Sequence, residues 1–143
     1  MPAVSNVVIN DGATTPVATT FSSIGQDAKG VWWYEQTSPA PSVKLGARKM
    51  GVRIQRALAA TATASDTTKI VFTLMSPTLS VSGNAATGYV AVPRIEYKCD
   101  ARLELNLPER SATAERTDMR ALVRNFLGHA LAVDLVDNLS PLY

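Results

Sequence analysis

The sequence predicts an α+β fold, in which an N-terminal β-hairpin and an antiparallel β-meander sheet are followed by two C-terminal α-helices. Three observations support this prediction. Apolar and polar residues alternate in several stretches before Pro108, short links rich in turn-forming residues separate these stretches, and after Pro108 the apolar residues recur at helical spacing. Strands that follow one another through short links usually pair as neighbours, so we expect a meander.

Length and composition fit one folded domain. The chain has 143 residues, of which 46% are hydrophobic and 18% are charged, as is typical of a globular protein. We expect a single domain over 1–143, with the hairpin in 1–23, the sheet in 31–107 and the helices in 111–139. The one cysteine excludes an internal disulfide, and a formal charge of +2 does not by itself indicate a nucleic-acid-binding protein.

The N-terminal hairpin and the first sheet strand are read from short alternating stretches. Val4–Ile9 is apolar and β-branched, Asn10–Gly12 supplies turn residues, and an extended pattern resumes at Pro16–Phe21. The next strand is Val31–Gln36, which the prolines of the segment 38–42 interrupt. Its adjacent residues Trp32 and Trp33 must lie on opposite faces, and the pattern does not decide which of them is in the core.

Two further strands precede the long one. In Arg48–Arg56 and in Lys69–Ser76 apolar residues alternate with polar ones, and Pro77 is expected to end the second of these strands. The segments 57–68 and 80–88 are rich in small residues and are read as loops.

The longest alternating stretch runs from Arg94 to Pro108. Its odd-numbered residues are apolar and its even-numbered residues are mostly charged, which predicts one core face and one wet face. Tyr97 and Cys99 belong to the apolar set, so both are expected to be buried.

The first helix carries an apolar stripe that Ser111 or Thr113 would cap and Gly128 would end. A shorter helix is read over 131–139. Two short helices are not expected to cover the whole apolar face of the sheet, so we predict a homodimer. The stripe predicted to lie at its interface comprises Met119, Leu122, Val123, Phe126 and Leu127.

The polar face of the predicted sheet is rich in basic residues. Alternation places on it the candidate RNA-binding residues Lys49, Arg53, Gln55, Lys69, Thr73, Arg94, Lys98 and Arg102. The pattern alone favours an ordinary solvated face, because Glu96, Asp100 and Glu104 alternate with the bases and could pair with them.

Catalytic and metal chemistry find little support in the sequence. Cys99 and His129 are the only candidates for a nucleophile and a base, and they lie on a strand and at a helix end. One histidine and one cysteine do not make a typical zinc site, and no glycine-rich phosphate loop precedes a helix. We therefore expect no catalytic residues, no metal and no cofactor. The apolar runs, such as Ile70–Met75, are too short to span a bilayer, so no membrane partner is expected.

Taken in order, these elements resemble the coat proteins of the single-stranded RNA bacteriophages, the leviviruses. VVINDGATTPVATTF is similar to the family's opening hairpin, VWWYEQ to its tryptophan-bearing strand, and RLELNLP to the end of its last strand. SATAERTDMRALVRNFL stands where the family's first helix begins, and NLSPLY is similar to its ending. The resemblance covers essentially the whole chain.

The resemblance implies an interlocked dimer with a continuous sheet, which assembles into an icosahedral shell around single-stranded RNA in the bacterial host cytoplasm. Each subunit's helices would pack on its partner's sheet, and the charged face would line the interior of the virion. A phage maturation protein is a further partner that the family suggests. A dimeric RNA-binding regulator without a shell, and a small enzyme that uses Cys99, are the competing functions.

Relatives that repress translation by gripping an RNA hairpin use hydroxyl residues on one strand and a base-stacking tyrosine on the last. Gly51 and Arg53 align with the hydroxyl positions, and Asp100 aligns with the tyrosine. General RNA packaging tolerates these departures, whereas the hairpin preference of those relatives does not transfer.

Overall fold

A computed structural model describes residues 5–56, 67–80 and 92–141 and confirms the predicted fold class. Six antiparallel strands form one sheet in the order of the sequence, and two helices follow. The strands are β1 (Val7–Asn10), β2 (Ala18–Gln26), β3 (Val31–Ser38), β4 (Lys49–Gln55), β5 (Thr67–Ser80) and β6 (Arg94–Pro108), and the helices are α1 (Thr113–Leu127) and α2 (Ala130–Asp137). A short 3-10 helix at Lys44–Gly46 lies between β3 and β4.

The described residues fall into two compact units. One holds β1 to β4 and most of β5 and β6, and the other holds α1 and α2 together with the ends of β5 and β6. The single domain over 1–143 stays a prediction.

Asp11 closes the hairpin between β1 and β2. Its carboxylate oxygen Oδ1 accepts the backbone N–H groups of Ala13, at 3.2 Å, and Val17, at 2.9 Å. The backbone N–H of Asp11 donates in turn to the Val17 carbonyl. These hydrogen bonds hold the pKa of Asp11 below its usual range. β2 then continues to Gln26, beyond the predicted limit of 23, because a bulge between Ser23 and Gly25 bends the strand without ending it.

The central strands pair in phase. Val52 of β4 lies opposite Trp32 of β3 and Phe72 of β5, whereas its neighbour Gly51 lies opposite Trp33 and Thr73. Directly paired residues share a face of the sheet. We call the face of Val52 the apolar face and the face of Gly51 the polar face.

The buried part of the sheet is small. Phe21 is 3% exposed and Thr19 is buried beside it on the apolar face. Farther along the same face Ile54, Phe72 and Leu74 remain exposed in the single chain. An exposed patch of large apolar side chains is typical of an interaction surface.

Two predicted boundaries of β5 are wrong. The strand begins at Thr67, inside the segment read as a loop, and it continues through Pro77 to Ser80. Pro77 is tolerated because β4 pairs with β5 only as far as Met75, so the missing N–H interrupts no hydrogen bond to β4. The remainder of the two predicted loops, at 57–66 and 81–88, lies outside the described residues.

Neither Ser111 nor Thr113 caps α1, as the sequence had suggested. Ala112 occupies the N-cap position, and its backbone N–H is satisfied by the Glu115 carboxylate at 2.7 Å. The Ser111 hydroxyl donates instead to the Pro108 carbonyl, at 2.6 Å. Gly128 does end the helix, as predicted.

His129 begins α2 and caps it. Its Nδ1 atom accepts the backbone N–H of Leu131 at 3.2 Å, which requires a lone pair on that nitrogen. The residue therefore has a structural role in the turn between the helices, where the sequence had suggested a cation at the end of α1.

Phe21→Ala tests where the core lies. Truncation of a buried phenylalanine removes apolar contact and leaves a cavity, so the free energy of unfolding should fall by about 3–5 kcal/mol. Urea unfolding followed by circular dichroism measures the change. Val8→Ala is the matched control, because Val8 is on the neighbouring strand and is 61% exposed. Equal losses in the two variants would contradict this location of the core.

Candidate nucleic-acid interface

The eight candidate RNA-binding residues lie on one face of the sheet. Register puts Lys49, Arg53 and Gln55 of β4 on the polar face, opposite Met75, Val71 and Lys69 of β5. β6 is tied to the same face by an ion pair between Lys69 and Glu104. Because side chains alternate along β6, the even-numbered Arg94, Lys98 and Arg102 share the face of Glu104.

Acidic residues interrupt the basic array. Lys49 Nζ lies 3.7 Å from Glu35 Oε2, Lys98 Nζ lies 3.0 Å from Asp100 Oδ2, and Arg102 Nη2 lies 3.4 Å from Glu104 Oε2. Exposed pairs of this kind contribute little to stability, typically about 0–1 kcal/mol. The cations can therefore exchange a carboxylate partner for a phosphate at small cost.

Arg53 stands apart from these pairs. Among the residues that the structure describes, no carboxylate pairs with its guanidinium. It lies opposite Val31 of β3 and Val71 of β5, so apolar residues flank it on both neighbouring strands. A cation without a carboxylate partner is the strongest single candidate for a phosphate contact on this face.

The structure decides between the two tryptophans. Trp32 is on the apolar face opposite Val52, and Trp33 is on the polar face opposite Gly51. Trp33 is partly buried, and its indole Nε1–H donates to Asp27 Oδ2 at 2.9 Å. The sequence pattern did not identify Trp33 as a residue of the candidate interface, because alternation at an adjacent aromatic pair has two solutions.

Asp27 holds several groups at the start of β3. Its Oδ1 atom accepts the backbone N–H groups of Lys29, at 2.8 Å, and Val31, at 2.9 Å, while Oδ2 accepts the indole of Trp33. The hydrogen bond from Trp33 is the largest cause that lowers the pKa of Asp27, followed by that from Val31. The carboxylate is thereby kept ionised and holds the indole in place.

Gly51 makes room for Trp33. A Cβ atom at position 51 would lie 3.0 Å from Cζ3 of Trp33 and 3.1 Å from Cγ1 of Val31. Such contacts are too close for carbon atoms, so any larger residue at this position would displace the ring.

The predicted dimer-interface stripe is largely exposed in the single chain. Phe126 is 57% exposed, and Met119, Leu122 and Leu127 are also exposed, while Val123 is partly buried. Tyr97, which was expected to be buried, is 57% exposed, and Cys99 is exposed as well. The alternation on β6 is correct in phase, but in the single chain nothing covers this half of the strand.

No cluster of three or more potential metal ligands occurs within residues 5–56, 67–80 and 92–141. Neither α1 nor α2, the helices of the described ranges, is long and apolar enough to cross a membrane.

A family model described as levivirus coat protein matches residues 2–143. No curated protein sequence is significantly similar to the chain. Among solved structures, the coat subunit in a virus-like particle of bacteriophage ESE058 is 28% identical, with a TM-score of 0.85 over 99% of this chain and 100% of that one. A virus-like particle of Beihai levi-like virus 21 gives 22% identity and a TM-score of 0.79, covering 99% of each chain. An unassembled bacteriophage coat protein dimer, described as RNA-binding, gives 18% identity and a TM-score of 0.62, covering 98% of each chain.

Lys69→Met tests the ion pair that joins β5 to β6. The hydrogen bond from Lys69 is the main reason that the pKa of Glu104 lies below its usual range, so the pKa should rise in the variant. A group with a lowered pKa stabilises the fold above its unfolded pKa, and the contribution disappears as the pH falls through the folded value. The variant should therefore lose less stability on acidification than the wild type.

A carbon-detected NMR titration of the Glu104 carboxyl, together with urea unfolding at neutral and acidic pH, measures both effects. Lys98→Met, which removes the partner of Asp100, is the control and should leave Glu104 unchanged. An unaltered Glu104 titration in Lys69→Met would show that the pair does not persist in solution.

Proposed function

The chain belongs to the levivirus coat protein family, whose members are structural capsid proteins rather than enzymes, and from this premise we propose that it dimerises, assembles into an icosahedral shell and packages single-stranded RNA. The observation that carries the proposal is the two-sided character of the sheet. One face is apolar and partly uncovered in the single chain, and the other face gathers the basic residues.

Dimerisation accounts for the uncovered apolar surface. Ile54, Phe72 and Leu74 on the sheet and Leu122 and Phe126 on α1 are all exposed in the single chain. Their burial against a second copy would contribute about 25 cal/mol for each Å² of apolar surface removed from water. We propose the interlocked dimer of the family, in which the helices of each subunit pack on the sheet of the other, and the unassembled dimer of known structure supports this arrangement.

The polar face would then line the interior of the shell and meet RNA. Basic side chains outnumber the acidic residues Glu35, Glu96, Asp100 and Glu104 on this face, and the dimer doubles the array. Neutralised phosphates and released counterions would supply most of the affinity, with little dependence on sequence. The particles formed by the similar chains support the shell.

This assignment puts the protein in the virion, with assembly in the cytoplasm of a bacterial host and a maturation protein as a further partner. Translational repression through an RNA hairpin is a narrower possibility within the family. The chain has Gly51 and Arg53 in place of the hydroxyl residues and Asp100 in place of the tyrosine, so any hairpin that it recognises would be read by other contacts.

Light scattering of the purified protein, with absorbance at 260 and 280 nm recorded across the same peak, tests the proposal. A peak far larger than a dimer and rich in nucleic acid supports a coat protein that packages RNA. A dimer that binds RNA and forms no particle, even when RNA is added, would favour the regulator without a shell.

Replacement of Lys49, Arg53 and Arg102 together by glutamine should reduce RNA packaging. Fewer phosphate contacts lower the 260/280 nm absorbance ratio of the particles. They also flatten the salt dependence of RNA binding, by up to about 0.7 in the slope of log K against log salt for each lost contact with a single strand. Arg110, Arg120 and Arg124 replaced by glutamine form the control, because that variant loses the same charge outside the polar face. If both triple variants lose RNA equally, net charge and not this face governs packaging.

Phe126→Ala should weaken the dimer. The ring is exposed in the single chain, so its loss acts through burial in the partner and should cost on the order of 3–5 kcal/mol in the dimer. The thermal midpoint should fall and should depend more strongly on protein concentration. Arg120→Ala on the same helix is the control. A midpoint equal to that of the wild type at every concentration would remove Phe126 from the interface.

A further inference from the structure

Trp33 occupies an unusual place on the polar face. Its paired residues are Gly25 on β2 and Gly51 on β4, so neither neighbouring strand presents a side chain directly beside the ring. Gly51 is buried under this contact, and a Cβ there would meet both Cζ3 and Cε3 of the indole. The sheet thus offers an aromatic ring in a trough formed by two glycines.

Cations border this trough. Lys49 and Arg53 lie two residues before and two residues after Gly51 on β4, on the same face. At about 3.3 Å per residue, each backbone position is about 7 Å from Gly51 along the strand. A nucleotide placed on the ring would therefore have a cation on either side for its phosphates.

We infer that Trp33 is a stacking platform for an unpaired RNA base, with Lys49 and Arg53 holding the flanking phosphates. The inference rests on the proposed function and deepens it, because it assigns to the polar face a contact with bases as well as with the backbone. Stacking on an aromatic ring selects single-stranded over duplex RNA, since a paired base has its faces covered by its neighbours.

Asp27 acts as the positioning residue. Its Oδ2 atom accepts the indole N–H, while its Oδ1 atom is occupied by the backbone of the turn. The ring is therefore oriented before RNA arrives, and less conformational freedom is lost on binding. Asp27→Asn leaves one carbonyl oxygen for these donors and should loosen the ring.

The first test measures affinity for a single-stranded oligoadenylate and for duplex RNA of equal length, by fluorescence anisotropy on protein kept below its assembly concentration. Trp33→Leu should weaken single-strand binding about 5- to 150-fold, the equivalent of about 1–3 kcal/mol for one stacked base. The slope against log salt should not change, because no phosphate contact is lost. Trp33→Phe should restore most of the affinity, and duplex binding should change little in either variant.

The second test does not depend on replacing Trp33. The chain has two tryptophans, so in a Trp32→Phe background the emission reports Trp33 alone. Oligoadenylate should quench that emission, and duplex RNA should not. Gly51→Ala and Asp27→Asn in the same background should each reduce the quenching while leaving the salt slope unchanged.

The outcomes separate the two proposals. If Trp33→Leu binds oligoadenylate as the wild type does, or if bound oligoadenylate leaves the emission unaltered, the platform is refuted. The proposed function still stands in that case, provided that the triple replacement of Lys49, Arg53 and Arg102 lowers affinity. If the wild type binds neither form of RNA, both proposals fail.

Discussion

The register between β3, β4 and β5 is the constraint on which the rest of the molecule depends. Val52 lies opposite Trp32 and Phe72, and Gly51 lies opposite Trp33 and Thr73. A slip of one residue in either ladder would turn the whole apolar set of one strand to the other face. The separation of an apolar face from a basic face therefore follows from hydrogen bonding between backbones as much as from the identity of the side chains.

That separation gives the coat protein two different physical tasks on one sheet. The apolar face obtains stability by excluding water, which a single chain achieves around Phe21 but not around Ile54, Phe72 or Leu74. In a subunit of this kind folding and association draw on the same surface, so stability is inseparable from protein concentration. The polar face has the opposite requirement, since its charges must stay hydrated or weakly paired until phosphates replace those partners.

Sequence reasoning succeeded where a period extends over many residues. The alternation of β6 and the stripe of α1 were recognisable because each repeats several times, and the candidate basic residues followed from the same alternation. It failed where one local contact decides. Pro77 does not end β5 because β4 has already ended, and α1 is capped through Glu115 and not through a hydroxyl. Tyr97 was assigned to the correct face, but burial of that face depends on neighbours that the single chain does not supply.

The pair formed by Trp33 and Gly51 shows why residues of the site have to be interpreted together. Considered alone, Gly51 is the loss of a hydroxyl residue from a position where relatives contact RNA, and Trp33 is one of two adjacent aromatics without an assigned face. The register makes them one feature, because the indole occupies the space that a side chain at position 51 would fill. A hydrogen-bonding contact can thus be exchanged for a stacking contact only if both positions change, and Asp27 must also be present to hold the ring. A hydroxyl reads the edge of a base and a ring meets its face, so the exchange favours tolerance of base identity over recognition of one sequence.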